Sequence, residues 1–175
     1  MRGLSRILLR FFASRDGVVA SEFALILPVG IALLAGTVEI GNALLVDRKV
    51  SRAVHIGADL IAQEKTMSNA KTRDIVAAVE AIMDPFPARN VKVVFTSVYN
   101  NNGKTVVDWS RAHNTSAKSG TYKLPNNLTR RGETVIVAEI SYDYRPLFDD
   151  LIIPAFNIKD IAYLKPRRTV RIPFR

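Results

Sequence analysis

The sequence predicts an α+β protein. A long N-terminal helix, transmembrane at first and amphipathic beyond, leads into a small domain with one short helix and an antiparallel sheet of about four strands. Three observations carry this expectation. From Phe23 to Val38 the chain is uncharged and mostly apolar. Beyond that run, Val46, Val50, Val54, Gly57 and Ile61 recur at spacings of four and three, which is one face of an α-helix. Past residue 90, β-branched and aromatic runs are separated by turn residues, which is strand patterning.

Residues 1–17 read as a short basic leader. Arg2, Arg6, Arg10 and Arg15 are opposed by Asp16 alone, around an apolar middle of Ile7-Leu8-Leu9 and Phe11-Phe12. Such a segment can lie on the inner membrane face. Its basic charge places this end in the cytoplasm and the chain beyond the span in the periplasm. Residues 18–41 form the span: as a helix they reach about 36 Å, enough to cross a core of about 30 Å with some tilt. Pro28 inside it removes a backbone donor and predicts a kink. Ala32 with Gly36, and Thr37 with Gly41, are small-xxx-small pairs that let another helix approach closely, although small residues are also common in spans. Glu22 interrupts the apolar start, where a central acid costs about 2.5–3.5 kcal/mol on insertion scales. It is either solvated at headgroup level or there for a purpose.

Residues 42–65 continue the helix outside the membrane, with Asp47, Arg48, Lys49, Arg52 and Asp59 off the apolar face. The remaining residues, 66–175, make the periplasmic domain. Thr66 to Asn69 break the pattern, and Thr72 is the expected cap of a short helix from about Arg73 to Met83. Asp84-Pro85-Phe86-Pro87 ends it. Val91 to Tyr99 and Lys104 to Ser110 read as a hairpin around Asn100-Asn101-Asn102-Gly103. Arg111 to Asn127 reads as a loop. Glu133 to Tyr144 alternates strongly as a strand, Leu147 to Ile153 is a connector, and Ile158 to Leu164 is the last strand, ahead of Pro166.

The net charge of +9 falls to +6 when the leader, with four arginines and one aspartate, is removed. The remaining excess gathers late, at Arg130-Arg131, Lys165, Arg167-Arg168, Arg171 and Arg175. It reads as solvated charge or a subunit contact, because no nucleic-acid motif accompanies it. The absence of cysteine excludes disulfides, thiolate metal sites and a cysteine nucleophile. No phosphate-binding glycine loop is present, and Gly57, Gly103, Gly120 and Gly132 read as isolated turn or packing glycines. His55 and His113 fall in different elements and in no zinc or nucleophile motif. Asp149-Asp150 reads as a solvated turn or helix start rather than a paired-carboxylate site. Trp109, Tyr122, Tyr142 and Tyr144 could make a sugar or base platform, but aromatic residues on strands are more often core. No enzyme, cofactor or metal is expected.

The stretch GVVASEFALILP from Gly17 resembles the cleavage signal of type IV prepilins, with Gly17, then Glu22-Phe23, then an apolar helix. With Val38-Glu39-Ile40-Gly41 and Ala58 to Gln63 it resembles the TadE-like minor pseudopilins of the tight-adherence (Tad) pilus. Trp109-Ser110, Val135 to Tyr144 and Tyr163 to Arg167 resemble longer members less specifically. The resemblance implies cleavage by a prepilin peptidase between Gly17 and Val18, with Glu22, Phe23 and Pro28 serving recognition and assembly. It further implies a role in initiation, assembly or tip structure of the pilus. The implied partners are other minor pseudopilins, the major pilin and the inner-membrane assembly platform. Two other readings stand beside it: a single-span signal-anchored envelope protein, and a secreted protein cut near Ala32. The long acid-containing entry argues against the last.

Overall fold

A computed structural model of the chain describes residues 16–125, 128–146 and 154–175. The leader arginines, the Asp149-Asp150 pair and the connector before residue 154 lie outside these. Helix α1 runs unbroken over Asp16–Ala62, 47 residues and about 70 Å long, and stays helical through Pro28. Helix α2 spans Asn69–Met83. A 3-10 turn at Ala88–Asn90 leads into strands β1 (Val91–Asn101), β2 (Lys104–His113), β3 (Thr134–Tyr144) and β4 (Phe156–Leu164). All pair antiparallel, in the order β2-β1-β3-β4.

The stripe read from the sequence is the one that docks. Val46, Val50, Val54 and Ile61 are fully buried on the inner face of the sheet, with Ala53 and Ala58 beside them. Opposite lie alternate residues of the strands: Val93 and Phe95 of β1, Ile136, Ala138 and Ile140 of β3, Ala162 of β4. Helix α2 closes one side with Val76, Val79 and Met83. Gly57 lies where α1, α2 and β1 meet. A Cβ added there would approach the Phe95 ring to 3.1 Å and Val79 to 3.3 Å, so glycine lets the three elements close. The other face of β3 buries Val135 and Val137 beneath Tyr122, Leu124, Ile161 and Tyr163. The two registers of β3 thus serve two cores.

Three expectations are corrected. Ser68, not Thr72, caps α2: its side chain accepts from Lys71 N at 3.3 Å. Thr72 is already helical and turns its hydroxyl back to Ser68 O at 2.8 Å. Strand β2 continues through Arg111, Ala112 and His113, which pair with Phe95, Val94 and Val93. Polar residues suffice there because one side of an edge strand is wet. The hairpin turn is as expected: Asn102 and Gly103 both take positive φ, 52° and 95°, which suits a two-residue turn between twisted strands.

The third correction concerns the basic tail, which is not simply solvated. Arg167 N donates to Ala62 O at 2.8 Å, Met67 N to Pro173 O at 2.9 Å and Arg175 N to Met67 O at 2.9 Å. Lys165, Arg167 and Arg171 meet Glu133, Asp59 and Asp108. Residues 165–175 therefore strap the end of α1 to β2. A bulge between Ser97 and Val98 leaves Asp108 without a partner across the ladder, turning it toward Arg171.

Candidate functional site

The residues singled out in the sequence lie along α1, and the helix divides them by surroundings. Gly17 and Val18 occupy its first turn. Val18, Glu22, Phe23 and Pro28 are exposed, as is every residue from Val18 to Leu34. Glu22 follows Val18 by four positions, one turn along the same face. Ser21 and Thr37 satisfy their hydroxyls internally, donating to Val18 O and Leu33 O at 2.8 Å, so the half-helix presents almost pure hydrocarbon. Among the described residues α1 is the one helix long and apolar enough to cross a membrane.

The small residues do not form one surface. Ala32 and Gly36 precede Glu39 by seven and three positions and continue the stripe that docks on the sheet; Gly36 is half-buried. Thr37 and Gly41 lie on the opposite side, where Gly41 is exposed and an added Cβ would meet nothing within 4 Å. The two pairs would therefore serve different neighbours.

Glu39 is a functional candidate that sequence reasoning missed. It is fully buried at the upper end of the docking stripe. Tyr144, the last residue of β3, donates its hydroxyl to Glu39 Oε2 at 2.9 Å and lies 3.4 Å from Glu39 O. Burial first, and then the Glu39 carboxylate, push the tyrosine hydroxyl up to about 12, so it remains a donor at physiological pH. Phe156 of β4 packs on the Tyr144 ring with centroids 5.4 Å apart. The signal was available: an acid recurring at helical spacing with Val46 and Val50, on an otherwise apolar stripe. This contact fixes where along α1 the sheet begins. Tyr144→Phe takes this hydroxyl donor away from the buried Glu39 carboxyl and should destabilise the domain by about 1–3 kcal/mol. Thermal unfolding of the full chain in neutral detergent checks this, and an unchanged midpoint would contradict it.

On the outer face of β3, Glu139 accepts from Lys159 at 2.8 Å and Tyr122 Oη at 3.0 Å, with Lys118 at 3.7 Å. Burial works against its charge, but those donors outweigh it and hold the carboxyl below its usual range. Burial, reinforced by Glu139, pushes the Tyr122 hydroxyl up. A carboxyl depressed on folding contributes stability above its unfolded pKa of about 4.3 and loses it as pH falls through the folded value. Stability should thus hold from neutral pH to about pH 5 and fall in more acidic solution. Glu139→Gln should be less stable at pH 7 yet lose less between pH 7 and pH 3.5. Equal losses in parent and variant would remove Glu139 from the account.

The remaining candidates are structural. Trp109, Tyr142 and Tyr144 are buried in the inner core while Tyr122 covers the outer face, so they form no common platform. His55 is exposed on α1, and His113 Nε2 lies 3.0 Å from Glu80, linking β2 to α2. Among the described residues no group of three or more His, Asp or Glu side chains is arranged to hold a metal ion.

Comparison with known families agrees with the N-terminal resemblance. Residues 17–59 match the family model of the TadE-like proteins, a segment running from Gly17 through the span into the docked half of α1. No curated protein and no solved structure matches the chain.

Proposed function

We propose that this chain, with its TadE-like segment at the head of a helix-anchored domain, is a minor pseudopilin of a tight-adherence pilus. In this reading a prepilin peptidase cuts between Gly17 and Val18 on the cytoplasmic side. The domain from residue 66 faces the periplasm, and the processed subunit takes part in initiation, assembly or tip structure. Its partners are other minor pseudopilins, the major pilin and the inner-membrane assembly platform. The observation that carries the reading is the division of α1. One half is docked on its own sheet, and the other, apolar and exposed from Val18 to Leu34, continues the same unbroken helix. A helix needed only for anchorage gains nothing from rigid continuity with the domain. A subunit drawn from lipid into a bundle of like helices requires it.

Cleavage requires the first turn of α1 to open, and helix ends do so readily. Gly17 helps, since glycine in a helix is about 1 kcal/mol less favourable than alanine and a backbone without Cβ fits a narrow cleft. The mature protein should begin at Val18, read by N-terminal sequencing. Gly17→Val should leave an uncut species about 2 kDa heavier, from a mass of 19.4 kDa over 175 residues. Normal processing of that variant rejects the peptidase step, and Met1 as the mature N-terminus returns the chain to a plain anchor.

A further inference from the structure

The side of α1 facing away from the sheet carries a second pattern. Leu34, Val38, Gly41, Leu45, Arg48 and Arg52 recur at spacings of four and three, so they lie on one stripe. Leu34, Val38 and Leu45 are 68%, 48% and 51% exposed, and the space over Gly41 is open. The stripe is thus an apolar furrow that ends at two guanidinium groups. At that end α1 and the last turn of α2 enclose a cleft of about 350 Å³, with Leu45 and Ile56 on one wall and Ile82 on the other. Lys49 is engaged in building it: Nζ donates to Ile82 O at 2.9 Å and Asp84 O at 2.7 Å, fastening the end of α2 to α1. Arg48 and Arg52 are exposed and have no acidic partner among the described residues, whereas Arg167 and Arg171 each meet an aspartate.

We propose that this stripe seats one anionic phospholipid, from the leaflet at the domain end of the span. An acyl chain lies along Leu34, Val38 and Leu45, and the phosphodiester lies between Arg48 and Arg52. The proposal rests on α1 being a membrane span. With residues 18–41 crossing the core, Arg48 and Arg52 leave the helix about 10 and 16 Å beyond Gly41. The headgroup layer is about 5–8 Å deep on each side. Side chains on a helix tilt toward its N-terminus, which here is toward the membrane, and an arginine stem extends several ångströms further. The Arg48 guanidinium therefore reaches back into the headgroup layer and that of Arg52 stands one turn further out, just above it, so a phosphate on the outer side of the layer lies between the two. Their planar forks match phosphate oxygens, and two of them in one place disfavour a headgroup carrying its own cation. A second copy packed on the stripe would have to bring an acid to each arginine, and the stripe itself contains none.

The test uses the full chain reconstituted in vesicles of equal phosphatidylglycerol and phosphatidylcholine. Flotation reports insertion. Native mass spectrometry after mild extraction then counts the lipid retained. A basic residue near an anionic surface contributes about a fivefold preference, so the parent should retain phosphatidylglycerol over phosphatidylcholine by about thirtyfold. Arg48→Gln/Arg52→Gln should float equally well and bring the ratio near one. The exposed pair Arg130→Gln/Arg131→Gln, with the same loss of charge, should keep the preference. A parent ratio near one overturns the proposal, as does an equal loss in both double variants or a lipid-free dimer in place of bound lipid. Displacement of the lipid by millimolar inorganic phosphate would make this a free-anion site and overturn the lipid assignment. A parent that fails to float removes the span itself, an outcome distinct from loss of selectivity in floated protein.

Discussion

Trp109→Ala should be the most damaging single change in the domain, lowering stability by about 3–5 kcal/mol, the usual cost of emptying a large aromatic site. Domains of this kind have about 5–15 kcal/mol in all. Trp109 follows the bulge in β2, is 7% exposed, and donates Nε1–H to Ile172 O at 2.7 Å. Its ring lies 5.6 Å from that of Phe174, which in turn lies under the Arg111 guanidinium at 3.8 Å. Removing the indole leaves a hole, an unmet carbonyl and a tail without its central contact. Limited proteolysis should then trim residues 165–175 first, with the rest of the domain melting earlier. Trp109→Phe keeps most of the ring but not the donor and should cost less, with about 0.5–1.5 kcal/mol attributable to the lost hydrogen bond. If Trp109→Ala keeps both its midpoint and its tail, the strap is not a stabilising element.

Glu22→Gln should abolish or strongly reduce piliation while leaving membrane insertion and processing intact. Under the proposed function Val18 becomes an amino terminus, with a reference pKa of about 7.7–8.0 and so largely charged at neutral pH. Drawn into a bundle of apolar helices, that amine needs a counter-charge. An unmatched ion in such a medium costs several kcal/mol even after relaxation. Glu22 is one turn away on its own helix and equally exposed to a neighbour, so it can meet either amine, and pairing with a neighbour fixes axial register. Glutamine is neutral and enters lipid more easily than a carboxylate, so membrane yield should not fall. The variant should accumulate in the inner membrane, in a strain lacking the parental copy, without surface pili. Normal piliation in that strain rejects the register role, and a variant that is neither inserted nor cut points to recognition instead.

Much of the architecture was legible because it rests on periodicity. The spacing of Val46, Val50, Val54 and Ile61 identified the docked face, and the alternation of β3 separated Ile136, Ala138 and Ile140 from Val135 and Val137. Asn102-Gly103 named its own turn. The misses share a different physics. Ser68 and Thr72 are both competent caps, and which one serves depends on where tertiary contacts start the helix. The extension of β2 to His113 depends on the ladder offered by β1, because Arg111, Ala112 and His113 carry no strand pattern of their own. The strap of residues 165–175 is held largely by main-chain bonds to Ala62 and Met67, which no side-chain pattern announces. Glu39 was visible in the sequence, but its partner is 105 residues away. Only the fold could show that a carboxylate on an apolar stripe would be met by the end of β3.

The sheet order has a consequence for how the protein is made. The stripe of α1 packs mainly on β3 and β4, the strands synthesised last, so under the topology proposed above the Glu39–Tyr144 contact cannot form until residue 144 has crossed the membrane. During translocation Val46, Val50, Val54 and Ile61 therefore leave the span with no sheet to cover them. The nearest apolar phase is the bilayer surface from which they have just emerged. An amphipathic helix there lies flat, its apolar side among the acyl chains. Under that topology assembly of the domain would be an exchange, in which the sheet takes the stripe from the lipid and α1 swings upright as one continuous helix. The nascent subunit would be a peripheral helix first and a stalk second.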